Sequence, residues 1–286
     1  MTTLIAWAAI DERGTSAVYM ASDSRLSWEE YSAWDSGRKI FASEKFPEIL
    51  GYTGDALFCT QVLSQVIAFI DSCAPLLEMA SLDSKYEYIG DLIDRAFSSY
   101  PTQFCLPNFS ILYLTRIGMT WGACTFAWTA KSGWQARQVH AIPMSWEDVR
   151  AVDDFTVIQA RAVVFVSAGS GGEMFRTFYY NSDWFAQLPL YSRGIFGAFT
   201  DFIESPIDSK TGGKPQISGL YRQFEARKIG FADSDARYLY GILVSPSDYQ
   251  SSVRWVNRTF ENCGALSGEK IPGEQRQPAP NAKTTW

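Results

Sequence analysis

The chain has 286 residues and is 47% hydrophobic, enough for one large domain or two ordinary ones with a substantial core. Its net charge of −6 argues against a nucleic-acid-binding or membrane-surface protein, since both need a basic face. No stretch approaches the roughly 18 consecutive apolar residues of a membrane span. Five scattered cysteines are typical of reduced thiols, and a single histidine argues against a histidine triad or a multi-histidine metal site. We therefore expect a soluble, cytoplasmic protein with no metal and no cofactor.

The N-terminal part of the chain predicts a β-hairpin. An apolar run over residues 3–10 is followed by a polar turn with a glycine, and residues 16–22 return as a second strand that ends at Asp23. Residues 26–37 are polar and aromatic and predict a loop. Two further strands are expected at 38–41 and 49–53.

The rest of the chain alternates between helical and strand patterns. Apolar spacing predicts helices at 56–79, 83–100, 173–180 and 191–204, and strands at 108–116, 119–129, 135–142, 161–166, 215–221, 226–232 and 237–244; residues 143–160 are mixed. This order favours an α+β fold in which two packed antiparallel sheets have helices on both outer faces, a four-layer αββα sandwich. We expect one domain over residues 1–267 and a flexible tail over 268–286, which is rich in Pro, Gly, Gln and Lys.

A small hydroxyl residue comes directly after the initiator methionine. Methionine is commonly removed before such a residue, which would give Thr2 a free α-amino group beside its hydroxyl. An α-amine with a pKa of ~8 can accept a proton at neutral pH, so Thr2 would combine a nucleophile with its own general base. Many proteins begin with Met-Thr, and the hypothesis therefore depends on residues farther along the chain.

Three downstream residues supply the groups that such a nucleophile needs. Asp23 ends the second strand and Lys39 begins the third, and a carboxylate-paired lysine near the hydroxyl would lower the pKa of that hydroxyl. Gly54 directly precedes a predicted helix, so its backbone N–H could stabilise a developing oxyanion.

Two polar loops complete the candidate set. Gly169 to Gly172 follows a hydrophobic strand but is neither a complete P-loop nor a dinucleotide fingerprint, so we do not predict nucleotide binding. Ser170 in this loop could hydrogen-bond a terminal amine. Asp208 and Thr211, in a second tight loop, could orient Ser170 and that amine.

Six short motifs occur in order between residues 2 and about 235. They are the N-terminal Thr-Thr with its apolar strand, ASDSR at 21–25, KIF at 39–41, GYTGDAL at 51–57, SAGSGG at 167–172 and DSKTGG at 208–213. In this order they resemble the motifs of proteasome β subunits and of the bacterial HslV peptidase, which are N-terminal-nucleophile (Ntn) hydrolases.

The resemblance implies a threonine peptidase with the Ntn-hydrolase fold. It implies Thr2 as nucleophile, Asp23 and Lys39 as the charge pair, and the Gly54 N–H as oxyanion donor. The supporting network would be Ser170, Asp208 and Thr211, with Thr211 in place of the more usual serine. It further implies a peptide or unfolded-protein substrate and a homo-oligomeric ring or stacked assembly, with an ATP-dependent unfoldase as an optional partner.

The chain also departs from that family. It is longer than the compact bacterial members, and Phe58 and Cys59 stand where the family carries an aspartate in the first helix. Two alternatives therefore stay open: a non-catalytic assembly or scaffold subunit of a proteasome-like complex, and an Ntn amidase acting on a small non-peptide amide.

Overall fold

The computed structural model describes residues 2–28, 32–101, 108–135, 137–143, 161–234, 236–245 and 253–273. Nearly all of the mixed segment at 143–160 and most of the expected tail lie outside the described residues. The division into a domain at 1–267 and a tail at 268–286 stays a prediction. Within the described residues, Ile271 N donates to Asn262 O at 2.9 Å, which ties the first residues of the expected tail to the domain.

The described elements follow the predicted order of strands, two helices, strands, two helices and strands, except that the second helical group contains three helices. In chain order they are β1 (Leu4–Asp11), β2 (Gly14–Ser22), β3 (Leu26–Trp28), β4 (Ser32–Trp34), β5 (Ile40–Ala42), β6 (Glu48–Gly54), α1 (Ala56–Cys73), α2 (Leu82–Ser98), β7 (Phe109–Ile117), β8 (Thr120–Thr129), β9 (Gly133–Trp134), β10 (Gln138–Val139), β11 (Ala162–Ala168), α3 (Gly172–Tyr180), α4 (Asp183–Gln187), α5 (Ser192–Glu204), β12 (Gln216–Tyr221), β13 (Arg227–Asp233), β14 (Ala236–Leu239), β15 (Ile242–Leu243), β16 (Arg254–Val256) and β17 (Asn262–Cys263).

Two large sheets form the centre of the fold. The first runs in the order β11-β1-β2-β12-β13-β14-β15, with β16 and β17 added beside β13. The second runs in the order β10-β8-β7-β6-β5, with β9 added beside β8. All described strand pairs in both sheets are antiparallel except β13 with β16, which is parallel.

Three apolar layers separate four layers of secondary structure. Strand β1 shows why, because its side chains alternate between the two faces of the first sheet. Leu4, Ala6 and Ala8 pack between the sheets against β5 to β8, whereas Ile5 and Trp7 pack against α3 to α5. A third cluster fills the space between the second sheet and the helices α1 and α2. The predicted α+β four-layer αββα sandwich is therefore confirmed.

Helix α1 begins where Asp55 caps it, since the Asp55 side chain accepts a hydrogen bond from Phe58 N at 2.7 Å. Its C-cap residue, Ala74, has a left-handed φ of 47°, which ends the helix earlier than residue 79. By length and composition this helix could cross a membrane. Seven of its residues are buried, and all seven belong to the cluster beneath the second sheet, so we interpret it as a core helix.

Four local predictions differ from the structure. Of the strand expected at 135–142, only Gln138–Val139 is a strand among the described residues. The expected loop at 26–37 contains the hairpin β3–β4, whose pairing joins residues that lack a strong alternating pattern. The expected strand at 237–244 is divided into β14 and β15 by Tyr240 and Gly241, both of which have positive φ. The aromatic segment between the helices predicted at 173–180 and 191–204 contains the short helix α4, capped by Ser182.

The single histidine of the sequence is half-buried beside β8. His140 Nε2 lies 2.6 Å from Thr125 Oγ1, and burial lowers the pKa of the imidazole from its ordinary value. The unfolded chain therefore binds a proton more readily than the folded chain as the pH falls through about 6.5.

We expect the free energy of unfolding to decrease between pH 7 and pH 5 partly for this reason. His140→Gln keeps a hydrogen-bonding side chain without the titration, so its unfolding free energy should depend less steeply on pH than that of the unmodified protein. Urea unfolding at both pH values measures the difference. Equal slopes for the two proteins would contradict this account of His140.

Candidate active site

A buried carboxylate stands at the end of β2. Asp23 is 0% exposed, and its Oδ1 accepts hydrogen bonds from Thr3 N at 3.0 Å and from Lys39 Nζ at 2.8 Å. Its Oδ2 accepts from Arg25 N at 3.2 Å and from Gly212 N at 3.1 Å. The carboxylate thus holds together the N-terminal strand, the start of β5 and the loop before β12.

Lys39 is the cationic partner of this carboxylate, and its side chain is also 0% exposed. Burial removes water from the ammonium group and lowers the pKa of Lys39, while the charge of Asp23 offsets part of that effect. Because a buried pair loses hydration on both sides, such an arrangement contributes little net stability. Its effect is to fix a cation at a defined place beside the N-terminal strand.

Gln216, the first residue of β12, positions the backbone around this pair. Its Oε1 accepts from Lys39 N at 2.9 Å, and its Nε2 donates to Gly37 O at 2.6 Å and to Asp23 O at 3.4 Å. The side chain is 0% exposed, so these bonds form away from water. Gln216 thereby joins β12, β2 and the segment that leads into β5.

A chain of hydroxyl groups connects Thr3 to a second carboxylate. Thr211 Oγ1 donates to Asp208 Oδ2 at 2.7 Å, so its oxygen accepts the hydrogen bond from Thr3 Oγ1, also at 2.7 Å. Asp208 additionally accepts from Lys210 N through Oδ1 at 3.0 Å. The threonine that this network contacts directly is therefore Thr3.

The alternation of β1 separates the roles of the two N-terminal threonines. Thr3, like Ile5, points toward the helix side of the first sheet, where Thr211 lies. Continuing the alternation places the Thr2 side chain on the same face as Leu4, between the two sheets. Thr2 is 2% exposed.

The loop that precedes α3 presses against both threonines. Gly169 has φ +83°, and a Cβ there would lie 1.9 Å from Thr2 O. A Cβ on Gly171 would lie 1.9 Å from Thr3 Oγ1. Both positions therefore require glycine. Within the described residues, the Oγ of Ser170 is buried without a hydrogen-bond partner, so Ser170 has a free donor and acceptor beside the N-terminus.

The Gly54 amide faces the same side of β6 as Lys39. Tyr52 N donates to Lys39 O at 3.2 Å, and Asp55 N donates to Asn108 O on the opposite side at 2.9 Å. Successive N–H groups of an antiparallel strand alternate between its two sides. Gly54 N–H therefore points to the Lys39 side, two residues beyond the hydrogen bond from Tyr52 N to Lys39 O. Gly54 is also the exposed end of an otherwise buried strand. Its φ is +94°, and a Cβ there would lie 2.0 Å from Asn108 O.

Arg25 supports the loop that carries Thr211 from its outer side. Its Nε and Nη2 form a bidentate pair with Asp35 at 2.7 and 2.9 Å, and its Nη1 donates to Ser209 O at 3.1 Å. A Cβ on Gly212 would lie 2.5 Å from the guanidinium carbon, so the loop backbone lies directly against Arg25.

Several predicted site residues thus lie in direct contact: Asp23 with Lys39, and Asp208 with Thr211. No contact is described between Ser170 and either Asp208 or Thr211. Sequence reasoning missed Thr3, Gln216 and Arg25. Thr3 and Arg25 lie inside two of the six motifs, whereas nothing in the sequence around Gln216 indicates its contacts. Among the described residues, no group of three or more His, Cys, Asp or Glu side chains is placed to bind a metal ion.

Comparisons with known proteins find similar solved structures but no match by sequence. No protein-family model matches the chain, and no curated protein matches it. Among solved structures, Anbu (ancestral beta-subunit) from Yersinia bercovieri aligns over 76% of this chain and 81% of its own, with 11% identity and a TM-score of 0.48. A eukaryotic HslV from Trypanosoma brucei aligns over 77% and 99%, with 11% identity and a TM-score of 0.42. The Gly-1 mutant of Anbu from Hyphomicrobium sp. strain MC1 aligns over 78% and 82%, with 13% identity and a TM-score of 0.46. At such values no residue role transfers from these structures to this chain.

Replacement of Gln216 by leucine tests the positioning of the buried pair. Gln216→Leu keeps the side-chain volume nearly unchanged but leaves Lys39 N and Gly37 O without their partner. We expect the free energy of unfolding to fall by roughly 1–3 kcal/mol, the cost of unsatisfied buried polar groups. Gln61→Leu on the exposed face of α1 is the matched control and should change stability by no more than about 0.5 kcal/mol. Urea unfolding of the two variants measures both values, and equal effects would contradict this role of Gln216.

Proposed function

We propose that the chain is a threonine peptidase of the N-terminal-nucleophile type, in which removal of Met1 exposes Thr2 as the nucleophile. The observation that supports this most directly is the fully buried Asp23–Lys39 pair beside the N-terminal strand. A buried ion pair is a poor source of stability, so its place beside a threonine N-terminus favours a chemical role.

In the proposed reaction, the Thr2 hydroxyl attacks a peptide carbonyl carbon while the α-amine takes the hydroxyl proton. As the tetrahedral intermediate collapses, the carbon–nitrogen bond breaks and this proton passes to the leaving amine. The product is an acyl-ester on Thr2. Water, deprotonated by the same amine, then attacks the ester carbon, releases the carboxylic acid product and restores the hydroxyl.

The surrounding groups have separate roles in this proposal. The Lys39 ammonium stabilises the Thr2 alkoxide electrostatically, and Asp23 keeps that ammonium in place. The Gly54 N–H stabilises the oxyanion, because it points to the Lys39 side at the exposed end of β6. The unpartnered hydroxyl of Ser170 hydrogen-bonds the α-amine, and Asp208 and Thr211 hold Thr3 so that Thr2 stays in register.

The substrate class in this proposal is a peptide or an unfolded protein. Self-assembly into a ring or stacked homo-oligomer in the cytoplasm would keep such a site away from folded proteins, and an ATP-dependent unfoldase is an optional partner. These partners follow from the motif resemblance.

One observation favours a second candidate, a non-catalytic assembly subunit. Thr2 is 2% exposed, and a nucleophile needs access to its substrate. The difference between the two candidates therefore lies in the chemistry at the N-terminus.

Intact mass spectrometry and a threonine-directed electrophile separate the two candidates. We expect the purified protein to have lost Met1, and an epoxyketone to add to Thr2 by bonding to its hydroxyl and its amine. Thr2→Ala should abolish the adduct and hydrolysis of a fluorogenic peptide panel, whereas Thr177→Ala, on the exposed face of α3, should leave both intact. A retained Met1, or no adduct on Thr2, would favour the assembly subunit. An adduct with hydrolysis of small amides but not of peptides would instead indicate an amidase.

Substitutions at Thr211 test the hydroxyl chain. Thr211→Ser keeps the hydroxyl between Thr3 and Asp208 and should retain near-normal peptide hydrolysis. Thr211→Val removes both hydrogen bonds at nearly constant volume, and we expect kcat/KM to fall roughly 10- to 100-fold, as for loss of a hydrogen bond to a charged group. Thermal unfolding of both variants separates this loss from a loss of fold. Equal activity of the serine and valine variants would contradict a role for the hydroxyl.

A further inference from the structure

A groove of about 650 Å³ lies at the opposite end of the first sheet from Thr2. It is formed where β1 ends, β2 begins, β12 ends and β13 begins, together with β16 and β17. Since β1 rises by about 3.3 Å per residue, the groove is roughly 25 Å from the candidate active site. It shares no residue with that site.

The charge of this groove is opposite to that of the whole chain. Four arginines line it, Arg13, Arg222, Arg227 and Arg254, against the single carboxylate of Asp11. The protein as a whole has a net charge of −6. A local excess of guanidinium groups on an acidic protein therefore needs a physical explanation.

Asp11 is already neutralised by one of these arginines. Arg222 Nη1 and Nη2 donate to the two carboxylate oxygens of Asp11 at 2.7 and 2.6 Å, and this pairing lowers the pKa of Asp11 to about 2. Arg13 lies farther from the same carboxylate, at 3.8 Å, and its side chain is 81% exposed. The carboxylate is thus fully engaged.

Two other arginines flank one aromatic ring. The guanidinium carbons of Arg254 and Arg227 lie 5.9 and 5.8 Å from the centroid of the Tyr221 ring. Arg254 also donates to the Tyr221 hydroxyl and to Asn262 Oδ1, which fixes its orientation. Within the described residues, neither Arg227 nor Arg254 forms an ion pair with a carboxylate. Both guanidinium groups are therefore available to a bound anion.

An exposed aromatic side chain forms the rim of the groove. Phe224 is 63% exposed, and its ring lies 5.5 Å from the guanidinium carbon of Arg227. Its backbone has φ +71°, a strained conformation for a bulky residue. Arg116 Nη2 donates to the Phe224 carbonyl at 2.8 Å, which helps to hold the turn in that conformation. Strained backbone that displays a large side chain is a feature of ligand sites.

We propose that this arginine groove binds a small phosphate-bearing anion with more than one negative charge. The planar guanidinium fork of Arg227 matches phosphate oxygens in pairs. Arg254 offers the N–H groups that Asn262 and Tyr221 leave free, and Arg13 adds a flexible third cation from the β1–β2 turn. Phosphate oxygens accept several hydrogen bonds at once, and the groove supplies the donors that Asp11 does not use. The ligand would be either free pyrophosphate or a nucleotide, whose base would stack on Phe224.

Isothermal titration calorimetry at constant ionic strength tests the proposal with pyrophosphate and ATP as probes. We expect both to bind the full-length chain, and Arg227→Gln and Arg13→Gln each to weaken binding at least tenfold. Both side chains are exposed, so the fold should be retained, which circular dichroism checks. Arg176→Gln, an exposed arginine of α3, removes the same charge away from the groove and should bind as the unmodified protein does.

The same titrations identify the source of the phosphate. If the protein binds ATP more tightly than pyrophosphate, and Phe224→Ala removes this preference, the ligand is a nucleotide. If it binds both equally, and Phe224→Ala has no effect, the ligand is free pyrophosphate. Absence of binding to the unmodified chain, or binding that survives Arg227→Gln, would overturn the proposal. Citrate that binds as tightly as pyrophosphate would also overturn it, because the groove would then recognise charge alone.

Discussion

The carboxylate of Asp23 is the group on which the candidate site depends. Its two oxygens accept four hydrogen bonds, three from backbone N–H groups and one from the Lys39 ammonium. An apolar residue could fill the same volume but would leave all four donors, three of them buried, without a partner, and the ammonium unpaired. Removing one partner of such a pair costs about 3–5 kcal/mol. The donors come from four separate segments of the chain, so the carboxylate also determines how the N-terminal strand, β5 and the loop before β12 meet.

The four-layer architecture explains why these segments meet at one edge. The start of β1, the end of β2 and the start of β12 are neighbours in the first sheet, and the start of β5 and the end of β6 face them from the second sheet. Alternation along β1 then divides the two threonines between the faces of the sheet. Thr3 is held from the helix side by Thr211, and the alternation leaves Thr2 on the face that packs against the second sheet. A shift of one residue in the register of β1 would exchange these roles.

Local patterns in the sequence were sufficient for most elements and for part of the site. Alternating and helical apolar spacing predicted the first hairpin, both long helices and the order of strands, and motif order pointed to Asp23, Lys39, Asp208 and Thr211. The residues that were missed depend on contacts between distant segments. Gln216 meets Lys39 N across 177 positions, and nothing near Gln216 in the sequence carries that information. The β3–β4 hairpin was missed for a related reason, because its pairing does not bury an alternating apolar face.

The strands β1, β2 and β12 carry the candidate active site at one end and the arginine groove at the other. Electrostatic coupling between the two ends should be weak, because roughly 25 Å of separation is about three Debye lengths at physiological ionic strength. Mechanical coupling would require the strands to shift relative to each other, yet β1 is hydrogen-bonded on both sides and its residues Leu4 to Ala8 are buried. A well-packed central strand does not change register in response to a ligand at its end. Occupation of the groove is therefore expected to leave the environment of Lys39 unchanged, which makes the two sites independent features of one rigid sheet.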